Sequence, residues 1–157
     1  MATELVTRAK HILEQILYIT IATVDTVGEP WNAPVFSAHD EQYNFYWGSH
    51  RDSQHSKNIR TTKKAFFVIY DSTVQAGKGE GVYIQASVTE ISNPTEIEVA
   101  HKLLSDRHTI PYWKLDELKG DAPIRLYKPT PLKIWMNDEG EKDGHYIDVR
   151  TEVRLLE

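Results

Sequence analysis

The first part of the chain shows two patterns of apolar residues, and the change between them separates a helix from the strands that follow. Across residues 3–17, apolar side chains recur every three or four positions, which predicts an amphipathic helix. Residues 18–25 are rich in Ile, Thr and Val and predict a strand. Residues 31–38 and 43–47 predict two more strands, and the short connections indicate an antiparallel meander.

The second part of the chain continues with strands of similar length. They are predicted at residues 65–70, 82–91, 132–137 and 145–150. The first of these is almost wholly apolar, so we expect both of its faces to be buried. A flexible loop is expected at 72–81, and the last two strands are expected to form a hairpin around Gly140 and Gly144.

Two further helices interrupt these strands. Ser53 is the expected N-cap of a short helix that runs to about residue 63. Asn93 and Pro94 begin a helix that runs to about Arg107, and residues 111–119 are irregular. Such a mixture does not give the regular βαβ alternation of a parallel sheet. The pattern predicts a mainly β fold, an antiparallel barrel with helices outside it.

Composition limits the class of protein. A length of 157 residues with 40% apolar residues fits one domain, residues 1–157, with a substantial core. The chain has no cysteine, which excludes disulfides and thiolate chemistry and suits a reducing cytoplasm. Charged residues interrupt the N-terminal apolar runs, and the run at 65–70 is far shorter than the roughly 20 residues that span a bilayer. We expect a cytoplasmic protein that does not bind membranes.

Charge argues against nucleic acid as a partner, because the net charge is −5 and nucleic-acid binders are usually basic. Residues 51–64 differ from the rest, since five basic side chains there accompany a single acid, Asp52. A compact basic patch on an acidic protein suits a small anion, and a solvated helix face is the alternative. The basic residues are Arg51, Lys57, Arg60, Lys63 and Lys64.

The segment from Trp47 to Ile59 has the layout of a phosphate site. A strand ends near Gly48, a polar loop follows, and a helix begins at Ser53. The first amides of a helix are unpaired and lie at the positive end of its dipole, so they attract anions. Side chains expected to converge there are Ser49, Arg51, Ser53 and His55. An ordinary capped helix beside a polar loop is the alternative interpretation.

Other kinds of site find less support. Seven histidines are present, but they lack the paired spacing of metal ligands, so no metal is expected. Residues 77–81 contain three glycines but lack the Lys-Ser/Thr ending of a P-loop. No nucleophile-elbow pattern of glycines indicates a Ser–His–Asp triad.

The order of these segments resembles the FMN-binding split barrels related to pyridoxamine 5′-phosphate oxidase. The resemblance covers residues 13–91 well and the remainder only in layout. In that family a helix leads into a strand, a glycine turn, a strand with a Pro-Val pair and an aromatic strand. A helix entry follows that has Ser, then Lys two residues on, then Asn-Leu. The corresponding segments here are 19–25, 32–36, 45–47, 53–59 and 65–70. The resemblance implies a split β-barrel that binds FMN.

The resemblance also implies a set of cofactor-binding residues. The isoalloxazine edge would face Asn32, Ala33, Pro34, Val35 and Phe36. The ribityl chain would be lined by Trp47, Gly48 and Ser49. The phosphate would be held by Ser53, Gln54, His55 and Lys57, with Arg51 as an added cation. Two positions depart from the family, since His55 stands where it has a lysine and Asn32 lies near the place of its arginine.

Three functions follow from the resemblance. The first is an FMN-dependent oxidoreductase of unknown substrate, in which the flavin carries the redox chemistry and no catalytic side chain is named. The second is a non-catalytic flavin-binding or stress-related module, and the third is a deazaflavin or heme binder on the same barrel. Pyridoxamine phosphate oxidation is not expected, because residues 149–157 resemble the family's substrate-binding end only loosely. A homodimer is implied, with residues 107–113 or Trp135 closing the flavin site from the partner chain.

Overall fold

The structure is a computed structural model that describes residues 2–109 and 112–156, with side chains described from residue 4. The helices are α1 (Ala2–Gln15), α2 (Gln54–Thr62) and α3 (Pro94–Arg107), with a short 3₁₀ turn at Leu115–Leu118. The strands are β1 (Tyr18–Val24), β2 (Pro30–Phe36), β3 (Ala38–His39), β4 (Phe45–His50), β5 (Lys64–Tyr70), β6 (Gly81–Glu90), β7 (Ile124–Lys142) and β8 (His145–Glu152).

The strands form one antiparallel sheet that closes on itself. Their order is β2-β1-β5-β6-β7-β4-β3, and β8 pairs with β7 beside this path. The two ends of this order, β2 and β3, are separated in the chain by Ser37 alone. The sheet therefore curls into a barrel with a split between β2 and β4. The predicted mainly β, antiparallel split barrel with helices outside is confirmed.

Two apolar clusters hold the barrel together. The larger one fills the barrel and includes Ile21, Phe67 and Ile84, together with Leu13 from α1 and Ile59 from α2. The smaller one lies on the other face of β4, where Ala100 and Leu104 of α3 pack against Tyr46 and Leu126. Each helix thus buries an apolar face on the sheet, which is where most helical stability in proteins originates.

Strand β4 corrects two expectations from the sequence. It continues through Gly48 and Ser49 to His50, where a loop was expected from Gly48 onward. It pairs with β3 and β7, whereas β2 pairs with β1, so the first three strands do not form a meander. The cause is the change of partner at Ser37, which moves the chain from one end of the sheet to the other.

Two later strands also differ from expectation. Strand β5 alternates, with Phe67 and Ile69 fully buried and Phe66 and Val68 only half-buried, so its outer face is not part of the core. Strand β7 begins at Ile124, eight residues earlier than expected. Its hairpin with β8 turns at residues 143–144, while Gly140 lies inside β7 where Val149 approaches it closely.

The helix beginning at Asn93 is confirmed. Asn93 has an extended backbone, and its side chain accepts a hydrogen bond from the amide of Glu96 at 3.1 Å. Pro94 occupies the first turn, where a missing N–H costs nothing. The stretch expected to be irregular contains the 3₁₀ turn, and its first residue, Pro111, lies outside the described residues. Among the described helices, none is long and apolar enough to cross a membrane.

Candidate functional site

Strand β4 directs its side chains to two different faces. Phe45 and Trp47 point into the barrel, and Ser49 continues this row at the end of the barrel nearest α2. Gly48 points to the opposite face, beneath Tyr112 and Trp113. The one strand therefore has a polar position and an aromatic contact on opposite sides.

Four side chains at the start of α2 form a compact group, called here the hydroxyl cluster: Ser49, Ser53, His55 and Ser56. Ser49 Oγ lies 2.7 Å from His55 Nε2, and Ser53 Oγ lies 3.1 Å from the same nitrogen. The two hydroxyls are 3.3 Å apart, and Ser53 Oγ is 2.8 Å from Ser56 Oγ. His55 is only 7% exposed. The cluster is therefore a built, largely buried polar site.

The first turn of α2 receives no capping hydrogen bond from the side chain of its N-cap residue. Ser53 is the N-cap, as predicted, with an extended backbone, but its side chain makes no capping hydrogen bond. It instead donates to the carbonyl oxygen of His50 at 2.8 Å. The first-turn amides, which a Ser N-cap normally satisfies, are thus free of this partner and suit an anion.

The charges around the cluster are mixed but mainly basic. Arg51 and Lys57 are exposed beside it, and Asp52 is exposed as well. His50 Nδ1 accepts a hydrogen bond from the Asp52 amide at 3.1 Å, and the Asp52 carboxylate lies 3.9 Å from the same nitrogen. Burial lowers the pKa of His55, so its imidazole is neutral at neutral pH. Arg51 and Lys57 are then the permanent positive charges available to an anion.

A second set of polar groups continues the cluster into the barrel. Buried Ser56 lies near Tyr127, which is fully buried and stacks on Trp47 at 5.6 Å between ring centroids, and burial raises the pKa of the Tyr127 phenol. Tyr127 Oη lies 3.4 Å from Glu90 Oε2. Glu90 in turn pairs with Arg125 at 3.2 Å and with Arg60 at 3.7 Å. Sequence analysis missed this network because β7 was expected to begin beyond Tyr127.

Helix α2 is also fixed to the barrel by two amides. Gln54 Nε2 donates to Asn58 Oδ1 at 2.8 Å, and Asn58 Nδ2 donates to Thr23 Oγ1 at 3.0 Å. Asn58 and Thr23 are both buried. The Gln54 side chain is therefore bonded to Asn58 one turn further along α2, and Asn58 is bonded to the barrel.

Strand β2 lies beside this site. It contacts both β4 and α2, and it ends the sheet order, so among the described strands only β1 pairs with it. Asn32 and Pro34 are exposed, Ala33 and Phe36 are half-buried, and Val35 is in the core. The backbone on the free edge of β2 is consequently available to a ligand that lies in the split of the barrel.

The outer face of β4 carries two aromatic side chains. A Cβ placed on Gly48 would lie 2.3 Å from Trp113 Cζ3 and 2.5 Å from Tyr112 Oη. The Tyr112 hydroxyl therefore lies against the backbone of Gly48, and burial raises the pKa of that phenol. Tyr112 also lies 6.4 Å from Phe36 between ring centroids. These contacts connect the end of β2 with the middle of β4.

Comparison with known proteins identifies the fold. No family model and no curated protein sequence matches the chain. HutZ, a heme storage protein from Vibrio cholerae, matches with a TM-score of 0.68 and 13% identity, over 78% of this chain and 86% of its own. An F420 reductase matches with a TM-score of 0.61 and 18% identity, over 80% and 94%. A Listeria innocua protein provisionally named a pyridoxamine 5′-phosphate oxidase matches with a TM-score of 0.62 and 15% identity, over 83% and 95%.

The chain has the fold of the pyridoxamine 5′-phosphate oxidase-like split barrels. The resemblance inferred from the order of segments is confirmed at this level. The TM-scores establish the fold. At identities of 12–18%, the ligands of these proteins are not carried over to this chain.

Within this split barrel, the residues expected to line a ribityl chain do not share one surface. The Trp47 side chain has no exposure and packs between Tyr127 and Phe67 in the core. Gly48 and Ser49 point to opposite faces. The reason is the strand itself, because neighbouring side chains alternate where a loop would let them converge.

The residues expected to close the site from a partner chain make contacts within their own chain. Tyr112 and Trp113 lie on Gly48 of the same chain. Arg107 donates to the carbonyl oxygens of Leu13 and Ile16 at the end of α1, at 2.7 and 2.9 Å. Trp135 stacks on Phe66 on the outer face of the sheet, at 6.1 Å. Among the described residues, no three acidic or histidine side chains are placed to hold a metal ion.

Proposed function

We propose that this split barrel is a flavoprotein that binds FMN with its phosphate at the hydroxyl cluster. The observation that carries the proposal is the convergence of Ser49 and Ser53 on buried His55, at a helix start that Ser53 does not cap. A phosphate there would accept hydrogen bonds from hydroxyls and first-turn amides. Arg51 and Lys57 would supply positive charge at the rim.

The remaining predicted residues fit a ring system in the split of the barrel. The free edge of β2 across residues 32–36 would offer backbone groups to the isoalloxazine edge. Phe36, the last residue of β2, lies 6.4 Å from Tyr112 between ring centroids. Strand β2 also contacts β4 and α2, which carry the hydroxyl cluster. The fit supports the proposal for the phosphate and for the ring edge, although not for the Trp47 side chain.

Bound flavin would supply electron transfer, and we propose an oxidoreductase whose substrate is not specified. The residues described here would bind and orient the cofactor and exclude water from its phosphate. A carrier or sensor without turnover is the second function that the same site supports. Reoxidation of the bound flavin coupled to consumption of NAD(P)H would favour the enzyme, and a flavin that no donor reduces would favour the carrier.

Heme or a deazaflavin is the competing ligand, because matched folds include a heme storage protein and an F420 reductase. The test is an absorption spectrum of the purified protein, followed by fluorescence titration with FMN. Flavin bands or saturable quenching at micromolar FMN would support the proposal. A Soret band, or binding of a deazaflavin without binding of FMN, would replace the cofactor and keep the fold.

The phosphate assignment has its own test in two substitutions. Ser53→Ala and Arg51→Ala should each weaken FMN binding by about 1–3 kcal/mol, because each removes a charge-assisted hydrogen bond. Ser92→Ala and Arg154→Ala are matched controls, since both positions are exposed and lie outside the cluster and outside the basic segment 51–64. Unchanged affinity in both test variants would remove the phosphate from this site.

We also propose that the protein is a homodimer joined through the outer face of the sheet. Tyr18, Ala22 and Val24 on β1 and Pro34 on β2 are exposed on this face, next to the half-buried Phe66. Light scattering should give about twice the chain mass of 18.1 kDa. Ala22→Arg should give the monomer mass, and a wild-type monomer would contradict the proposal.

A further inference from the structure

Strand β7 places an arginine next to the hydroxyl cluster. Arg125 is the register partner of Ser49, and Tyr127 is the register partner of Trp47. Partners in an antiparallel pair project from the same face of a sheet, and the stacked rings of Trp47 and Tyr127 show that this holds here. Arg125 therefore projects from the inner face with Ser49, with the two Cβ atoms about 5 Å apart, at the end of the barrel nearest α2.

The guanidinium of Arg125 is largely buried and has few partners. The side chain is only 14% exposed, and Glu90 Oε1 lies 3.2 Å from its Nε. Among the described residues, Glu90 is the one polar partner of this guanidinium. A guanidinium has five N–H donors, and buried donors are normally satisfied. Arg125 therefore has hydrogen bonds left to offer a ligand.

The carboxylate that pairs with Arg125 is itself shared between two cations. Glu90 Oε2 lies 3.7 Å from the guanidinium of Arg60, in the last turn of α2. In the described part of the chain, neither arginine has a second acidic partner. Two guanidinium groups on one carboxylate leave one positive charge uncompensated at this end of the barrel, and partly buried charge favours a counter-ion.

An anion at the hydroxyl cluster would satisfy both the donors and the charge. Burial lowers the pKa of His55, so the cluster itself has no positive charge at neutral pH. The planar fork of a guanidinium matches two oxygens of a phosphate. We propose that Arg125 is a phosphate-binding residue of this site, held beside Ser49 by the contact of its Nε with Glu90. This inference rests on the proposed phosphate site.

Arg125→Gln tests the inference, because it removes the charge and keeps a polar side chain. It should weaken FMN binding by roughly 10–100-fold, the range for a lost hydrogen bond to a charged group. Riboflavin lacks the phosphate, so its affinity should change less than about twofold. Arg125→Lys keeps the charge without the fork and should weaken FMN binding by roughly 3–10-fold. It serves if Arg125→Gln does not fold.

Glu90→Gln separates phosphate binding from a purely structural ion pair. It disturbs the same pair, but it removes a negative charge, and its amide oxygen can still accept from Arg125. FMN binding should therefore become tighter, by roughly 2–5-fold. Lys128→Gln is the control for net charge, because Lys128 lies on the same strand and pairs with Glu96 of α3 at 2.8 Å. Its affinity for FMN should stay within about twofold of the wild type.

Three results would overturn the inference. They are equal weakening of FMN and riboflavin in Arg125→Gln, equal weakening of FMN in Arg125→Gln and Glu90→Gln, and no weakening in Arg125→Gln. Each would mean that Arg125 acts on the fold alone or not at all.

A titration with inorganic phosphate, followed by NMR shifts of the amides of residues 53–56, separates this inference from the proposed function. If the wild type binds phosphate but no flavin, the proposed cofactor is wrong, and a loss of phosphate affinity of roughly 10–100-fold in Arg125→Gln would still support the inference. If the wild type binds FMN and Arg125→Gln matches it for FMN and phosphate, only the inference fails. If the wild type binds neither, both fail.

Discussion

The two faces of strand β4 make different kinds of contact at neighbouring positions. On the inner face, Ser49 joins a hydroxyl cluster whose members are held by hydrogen bonds of 2.7–3.3 Å. On the outer face, Gly48 allows two aromatic rings to approach the backbone more closely than any side chain would permit. The inner face depends on hydroxyl groups that hydrogen bonds hold in place, whereas the outer face depends on the absence of a side chain at Gly48. The difference teaches that a β-strand can present an anion site and an aromatic surface without either disturbing the other.

The largest expected effect comes from filling the empty space on the outer face. Gly48→Ala places a methyl group 2.3 Å from Trp113 Cζ3, so the aromatic pair must move. We expect a loss of about 1–3 kcal/mol in the free energy of unfolding, measured by urea denaturation.

Gly79→Ala is the control, because nothing lies within 4 Å of the added Cβ there. In the double variant Gly48→Ala/Trp113→Ala the two losses should be less than additive, since the clash is relieved. A loss in Gly48→Ala no greater than in Gly79→Ala would mean that the aromatic pair does not rest on β4.

A smaller effect is expected on the inner face. Ser49→Ala removes the 2.7 Å contact with His55 and leaves the imidazole its 3.1 Å contact with Ser53. The expected loss of stability is about 0.5–1.5 kcal/mol in the ligand-free protein, again by urea denaturation. Ser92→Ala, an exposed position, should be neutral. A neutral Ser49→Ala would show that the cluster does not contribute to the fold.

The smallest expected effect is on how the free energy of unfolding changes with pH, and it comes from His55 in the hydroxyl cluster. Burial lowers the pKa of His55 in the folded protein below its ordinary 6.5. The unfolded chain then binds more protons, so the contribution to stability is complete above pH 6.5 and is lost as pH falls from there toward the folded pKa. His55→Gln should show a shallower fall in stability between pH 7.5 and 5.5 than the wild type does.

The carboxyl groups of Asp71 and Asp138 do not add to the slope of stability against pH between 7.5 and 5.5. Hydrogen bonds from Thr73 and Thr151 lower their pKa values below 3.8, so their contributions are lost at more acidic pH. An identical slope for wild type and His55→Gln above pH 5.5 would contradict the buried, neutral state of His55.

Local sequence signals predicted the helices and most strands, because those signals act over a few residues. Asn93 and Pro94 define a helix start by hydrogen bonding and ring geometry that need no distant partner. Ser53 likewise was placed correctly as an N-cap, although its hydroxyl turned to the His50 carbonyl. The N-cap pattern alone does not predict that choice, because the same residue type can bond either the first-turn amides or a nearby carbonyl.

The rest of the site could not be predicted because it depends on pairing between distant strands. Tyr127 stacks on Trp47 only because β7 lies next to β4, in the register that places these two residues opposite each other. The continuation of β4 through Gly48 is likewise fixed by its pairing with β7, whose first residues carried no strand pattern. That pairing also places the Trp47 side chain in the core, where it has no exposure.

The central claim, that the hydroxyl cluster holds the phosphate of a flavin, is tested most directly by the ratio of FMN to riboflavin affinity in the wild type and in Ser53→Ala. Fluorescence titration should show wild-type FMN binding at least about tenfold tighter than riboflavin binding, which corresponds to about 1.4 kcal/mol from the phosphate. In Ser53→Ala the ratio should fall toward one. Equal affinity for the two ligands in the wild type, or an unchanged ratio in Ser53→Ala, would contradict the account.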